Sequence, residues 1–232
     1  YLPRTEGISS TMLRAESQDT YKIGIIGSGR IANRFVPETK VVNGADVVAV
    51  LNPNTAEVES FAKTHGIEAY TDFDAFKEKV DVVYIASPHL THYDYIKRSL
   101  LAGKHVLCEI PFTLKKDEAI ELYRLAEEKD LVLMEASKTA YCPAFGHIVT
   151  LIKSGIIGEV VDVKASLSKM VEPPTRELEA EQAGGAMTEH SPLTLMVIIK
   201  LLGLDWTDVD FHTKRDNGVD IYTKGVMNYP HA

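Results

Sequence analysis

From position 21 to position 134 the chain alternates short apolar runs with longer stretches of helical spacing. The first run is Ile23-Gly24-Ile25-Ile26. Similar runs follow at 46–51 (DVVAVL), 81–86 (DVVYIA), 105–108 and 131–134. Short continuous apolar runs of this kind predict strands buried on both faces. Between them, 55–65, 73–79, 92–102 and 115–129 place apolar residues at helical intervals, and Gly103 follows the third of these as a glycine after a helix does. Strands alternating with helices predict a doubly wound parallel sheet.

The pattern changes after Met134. Residues 143–153 read as a helix closed by Gly155. Residues 160–170 then alternate, with Val161, Val163, Ala165 and Leu167 on one side and Asp162, Lys164, Ser166 and Ser168 on the other. That period predicts a long half-buried strand of an open-faced sheet. A polar stretch (EPPTRELEAEQ, 172–182), a helix over 187–202 and two strands near 209–214 and 220–228 complete the chain. The expected organisation is a tail over 1–20, an α/β domain over 21–137, and an α+β domain over 138–232. The sheet of this last domain is expected to be open-faced, with an unfinished edge.

Composition narrows the function classes. The chain has 232 residues, 45% hydrophobic and 25% charged, enough for a sizeable core. A net charge of −8 without a basic cluster argues against nucleic acid as a partner. The most apolar stretch, 193–204, contains Lys200 and is too short for a bilayer, and the N-terminus has no secretory core. Two cysteines in apolar or strand-like contexts, Cys108 and Cys142, suit reduced thiols and a cytoplasmic location. The chain does not begin with methionine and is expected to be part of a longer polypeptide.

The clearest candidate chemistry is GIIGSGRIA. Gly27, Gly29 and Ala32 form G-x-G-x-x-A between the first strand and a helix. The first glycine permits the tight turn, the second admits a pyrophosphate, and the alanine allows close helix–strand packing. The helix N-terminus supplies N–H groups and positive dipole. This predicts a Rossmann-like domain binding NAD or NADP through Gly27, Ser28 and Gly29. A ribose-binding acid is expected at the end of the second strand. The sequence there is Leu51-Asn52-Pro53-Asn54, so Asn52 is either a ribose contact or a turn former, and NAD and NADP stay open.

Two further stretches, IASPHLTHYDYIKRSLLAGKHVLCEIP and LMEASKTAYCPAFGHIVTLIKSGIIGEVVDV, together with the glycine loop, resemble the glucose–fructose oxidoreductase / inositol dehydrogenase (Gfo/Idh/MocA) family. The resemblance implies a mostly antiparallel C-terminal sheet, hydride transfer between NAD(P) and a sugar, polyol or related carbonyl compound, Arg30 and Ile31 lining the glycine loop, and association of copies through the C-terminal sheet. Ser87-Pro88-His89 matches the family's T-P-N turn beside the cofactor, and His92 the histidine opening the next helix. Glu109 and Pro111 match the E-K-P motif near the nicotinamide. Ile110 stands at the catalytic lysine, and an isoleucine has no proton to give or take. The family's G-G-x-L-x-D-x-G-x-H-P motif corresponds to Gly184-Gly185-Ala186-Met187-Thr188-Glu189-His190-Ser191-Pro192. It is two residues shorter up to the proline, with Glu189 and His190 as the nearest substitutes. Lys138, just after the last strand of the parallel set, is a second source of the missing charge. The catalytic candidates are thus Glu109, Lys138 and His190.

The first residues belong to a different pattern. Arg4-Thr5-Glu6-Gly7-Ile8-Ser9-Ser10-Thr11 resembles the C-terminal signature of glycerol-3-phosphate cytidylyltransferase-like nucleotidyltransferases. It implies covalent fusion to such a domain upstream. Three functions are consistent with these residues. One is an oxidoreductase weakened at position 110, and another is an inactive NAD(P)-binding sensor or scaffold. The third is an accessory domain of a polyol-phosphate cytidylyltransferase.

Overall fold

A computed structural model describes residues 20–230, which leaves the 4–11 signature outside the described residues. The strands are β1 (Tyr21–Ile26), β2 (Ala45–Leu51), β3 (Glu68–Tyr70), β4 (Val82–Ile85), β5 (His105–Cys108), β6 (Leu133–Glu135), β7 (Asp208–Asp216) and β8 (Val219–Asn228). The helices are α1 (Arg30–Thr39), α2 (Thr55–His65), α3 (Phe73–Lys77), α4 (His92–Leu101), α5 (Lys116–Glu128), α6 (Pro143–Lys153) and α7 (Ala186–Leu202). The described residues divide into two compact units. One holds 20–87, 94–107 and 122–134; the other holds 88–93, 108–121 and 135–230.

Six strands form one sheet in the order β3-β2-β1-β4-β5-β6, and β1 pairs in parallel with both β2 and β4. This is the doubly wound order in which nucleotides bind where the strand order reverses, beside β1. The apolar runs supply the sheet: Ile25, Val50, Val83 and Ile85 are fully buried. β3 has no apolar run. It is a short edge strand, Glu-Ala-Tyr, which exists because β2 offers it a ladder. Gly24 has a packing reason: a Cβ there would sit 2.4 Å from the ring of the fully buried Phe76. α2 is fixed at both ends. Asn54 caps it through the Glu57 N–H, and Gly66 closes it at φ 71°.

The second unit carries a thinner core. β7 and β8 form a hairpin through Asn217-Gly218, whose φ values of 46° and 83° are those that a two-residue turn requires. The long strand expected over 160–170 is not formed. The segment has no ladder partner among the described residues, and Val161 and Leu167 stay exposed. Alternation chooses which side chains would face a core, but a strand also needs neighbours for its N–H and C=O groups. α7 starts at Ala186 behind Gly185, so Thr188 lies within its first turn. No helix among the described residues is long and apolar enough to cross a membrane.

Candidate functional site

In the first unit the glycine loop follows β1 and opens α1. Gly27 sits at φ 103°, and a Cβ on it would lie 2.6 Å from the Ala86 carbonyl oxygen. Only glycine fits that approach of the loop to the end of β4. Gly29 is different: nothing lies within 4 Å of the Cβ position, and no side chain caps α1. The loop therefore leaves open space at the Gly29 Cβ position, next to an uncapped helix N-terminus of the kind that a phosphate binds. Ala32 is fully buried beneath it, Ile31 is half-buried and Arg30 is exposed. Asn33 ties the loop down, donating from Nδ2 to the carbonyls of Gly29 (3.1 Å) and Ser28 (3.3 Å).

Asn52 lies at the end of β2. Its Nδ2 donates to Ser28 Oγ (2.6 Å) and to Glu57 Oε2 (3.2 Å), while its Oδ1 accepts from the Asn54 N–H (2.9 Å). Asn54 Nδ2 donates to the other oxygen of Glu57 at 2.9 Å. A carboxylate absent from the strand end is thus delivered by the first turn of α2. The sequence carried a signal for it, because Asn54-x-x-Glu57 is a capping-box spacing. Ser87 ends this unit just after β4 and is half-buried; Pro88, which opens the second unit, is exposed.

In the second unit Glu109, Ile110 and Pro111 follow β5, and Glu109 and Ile110 are half-buried. His92, fully buried, holds this turn: Nδ1 lies 2.9 Å from the Pro111 carbonyl oxygen. A carbonyl only accepts, so Nδ1 carries the proton. Glu135, at the end of β6, is a residue that sequence reasoning passed over. Its Oε1 accepts from the Phe112 N–H at 3.1 Å. Burial, and then the charge of Glu109, push its carboxyl pKa up, against the lowering effect of that hydrogen bond.

His89 and Glu189 meet through a third residue, Arg176. Arg176 Nη1 donates to Glu189 Oε1 (2.8 Å) and lies 3.2 Å from His89 Nδ1, while Nη2 reaches Glu189 Oε2 (3.3 Å). A guanidinium only donates, so His89 Nδ1 accepts and His89 is neutral. Burial and the adjacent guanidinium hold its pKa down, outweighing the pull of Glu189. The His92 ring packs edge-on against His89 at 5.5 Å. Glu189 therefore has both oxygens engaged. His190, the next residue, lines a cleft of about 740 Å³ with Lys169, Glu177 and Tyr222. Lys138 is exposed, and its charge helps depress the Cys142 thiol pKa, after the N–H groups of Phe145 and Ala144.

Residues 21–137 match the model of the oxidoreductase family GFO_IDH_MocA, described by its NAD-binding Rossmann fold. The chain is 32% identical over 173 residues to a trans-1,2-dihydrobenzene-1,2-diol dehydrogenase of Xenopus laevis, covering 72% of this chain and 52% of that protein. It is 28% identical over 220 residues to a dTDP-3,4-didehydro-2,6-dideoxy-alpha-D-glucose 3-reductase of Streptomyces antibioticus, covering 91% and 66%. Among solved structures it resembles KijD10, a 3-ketoreductase from Actinomadura kijaniata in complex with NADP and TDP-benzene. There the TM-score is 0.82 at 27% identity, over 91% of this chain and 67% of that one. The chain thus spans about half to two thirds of the length of these curated relatives. With its strand order and glycine loop, the chain belongs to the GFO_IDH_MocA oxidoreductase family, with residues 21–137 as its NAD-binding Rossmann domain.

Proposed function

We propose that this chain is an NAD(P)-dependent oxidoreductase domain for a sugar, polyol or related carbonyl compound, with turnover limited at position 110. The observation that carries the reading is the glycine loop, with its open face at Gly29 and uncapped first turn. The kinship with a dTDP-sugar 3-reductase supports a sugar-nucleotide ketone as one substrate class. When bound, the nicotinamide supplies or accepts the hydride. The chain's own residues must orient the substrate and manage the proton at its oxygen.

Ile110 does neither by hydrogen bonding. Glu189 is held by Arg176 and is not a free base. Counted without a gap along the unbroken helix from Gly184-Gly185, Glu189 takes the motif's aspartate place and Leu193 its histidine place. His190 is then the imidazole left facing the cleft, and Glu109 with Glu135 form the carboxylate pair after β5 and β6. Two free thiols, Cys108 and Cys142, support a cytoplasmic setting.

A second reading is favoured by the same isoleucine: a domain that binds NAD(P) without turning over, as a sensor or scaffold. The 4–11 signature supports fusion of either form to a cytidylyltransferase-like domain, which upstream sequence would establish or exclude. Ile110→Lys separates the two readings. NAD(P)+ reduction by polyols, and NAD(P)H oxidation by keto-sugars and dTDP-keto-sugars, should rise at least about tenfold over wild type if one missing proton donor limits turnover. Unchanged background turnover, with nucleotide binding intact, would favour the sensor.

A further inference from the structure

We propose that Glu57 makes this chain select NAD over NADP. The inference rests on dinucleotide binding by the glycine loop and adds to it which nucleotide is accepted. In this fold the adenosine ribose is read at the carboxyl end of the second strand, where an acid hydrogen-bonds the 2′-hydroxyl or an arginine accommodates a 2′-phosphate. Here the strand end offers Asn52, and its polar atoms are already committed. Both N–H groups go to Ser28 Oγ and Glu57 Oε2, and its oxygen takes the Asn54 N–H. Asn52 acts as a strut joining the glycine loop to the Glu57 carboxylate.

Glu57 is fixed from two sides, by Asn52 on Oε2 and by Asn54 on Oε1. Both partners are neutral amides, so they orient the carboxylate without cancelling its charge. Glu57 is also exposed, within reach of a ligand from solvent. Its oxygens retain capacity to accept from a hydroxyl. A ribose 2′-hydroxyl is such a donor. A 2′-phosphate is mostly dianionic at neutral pH and would bring like charge against the carboxylate, and no cation is among the groups bonded to Asn52. The carboxylate is reached through the capping of α2 rather than through the strand, which is why the strand end alone left the choice open.

Fluorescence titration of the whole chain with NADH and with NADPH tests this without any substrate. Wild type should bind NADH at least about tenfold tighter, the scale of like charges a few ångströms apart at a protein surface. Glu57→Gln keeps an oxygen for Asn54 and removes the charge, so NADPH affinity should rise and the ratio should collapse. Glu59→Gln, exposed on the same helix, should leave the ratio alone. If Glu57→Gln does not fold, the wild-type ratio still decides, and high salt should narrow it. Equal or tighter NADPH binding by wild type, or a ratio unmoved by Glu57→Gln, overturns the proposal while dinucleotide binding stands. Binding of neither nucleotide overturns the dinucleotide reading as well.

Discussion

Single residues differ in how far their roles can be read from their neighbours in sequence. Gly27, Gly29 and Ile110 each stand in a local motif, so the sequence alone suffices to propose a place for them. Arg176 was not: it meets His89 across 87 positions, and only folding makes them neighbours. Glu135 was missed for the same reason, since the Phe112 N–H that it accepts is on another strand's loop. Its raised proton affinity has a checkable sign. The folded state holds the Glu135 proton more tightly than the unfolded chain does. Its contribution to stability is therefore greatest below the ordinary carboxylate range and is lost as pH rises through the folded value. Glu135→Gln keeps an acceptor for Phe112 and cannot titrate. Denaturant melts should show wild type losing stability relative to this variant as pH rises above the ordinary carboxylate range. A constant difference over that rise would show that the carboxyl is not perturbed.

At the level of elements, the buried strands of the parallel sheet were read well because an apolar run bounded by turns has few alternatives. The exception, β3, is short and polar, and its partner makes it a strand. The 160–170 segment shows the converse: a good alternating pattern without a ladder. Element ends also set the chemistry of the thiols. Cys142 precedes α6, where the N–H groups of Phe145 and Ala144 favour its thiolate, and it is exposed. Cys108 ends β5, fully buried, and burial pushes its pKa well up. Alkylation of the native protein followed by peptide mapping should label Cys142 and spare Cys108 until the chain is denatured. Equal labelling of both would mean that β5 is not packed as described.

Across the whole molecule, the parallel sheet and the antiparallel hairpin carry different shares of the core. The fully buried large side chains are concentrated in the first unit, whereas α6 and α7 bury none completely. The sequence also holds a dinucleotide loop and, in a separate motif, an isoleucine where the family resemblance implies a catalytic lysine. The structure adds that the two stretches that matter most are built differently. The nucleotide loop combines a local glycine motif with supports from the Ala86 carbonyl and Asn52, whereas Arg176, His89 and Glu189 are joined by side-chain contacts between segments. The account stands or falls on nucleotide binding at Gly29, where a side chain has room and the fold has no use for it. NADH titration of Gly29→Ala against wild type is the direct test. The variant should melt within about 1 kcal/mol of wild type yet bind NADH at least about tenfold more weakly, because a methyl group fills the phosphate space. Unchanged NADH affinity in a folded Gly29→Ala protein would contradict the account.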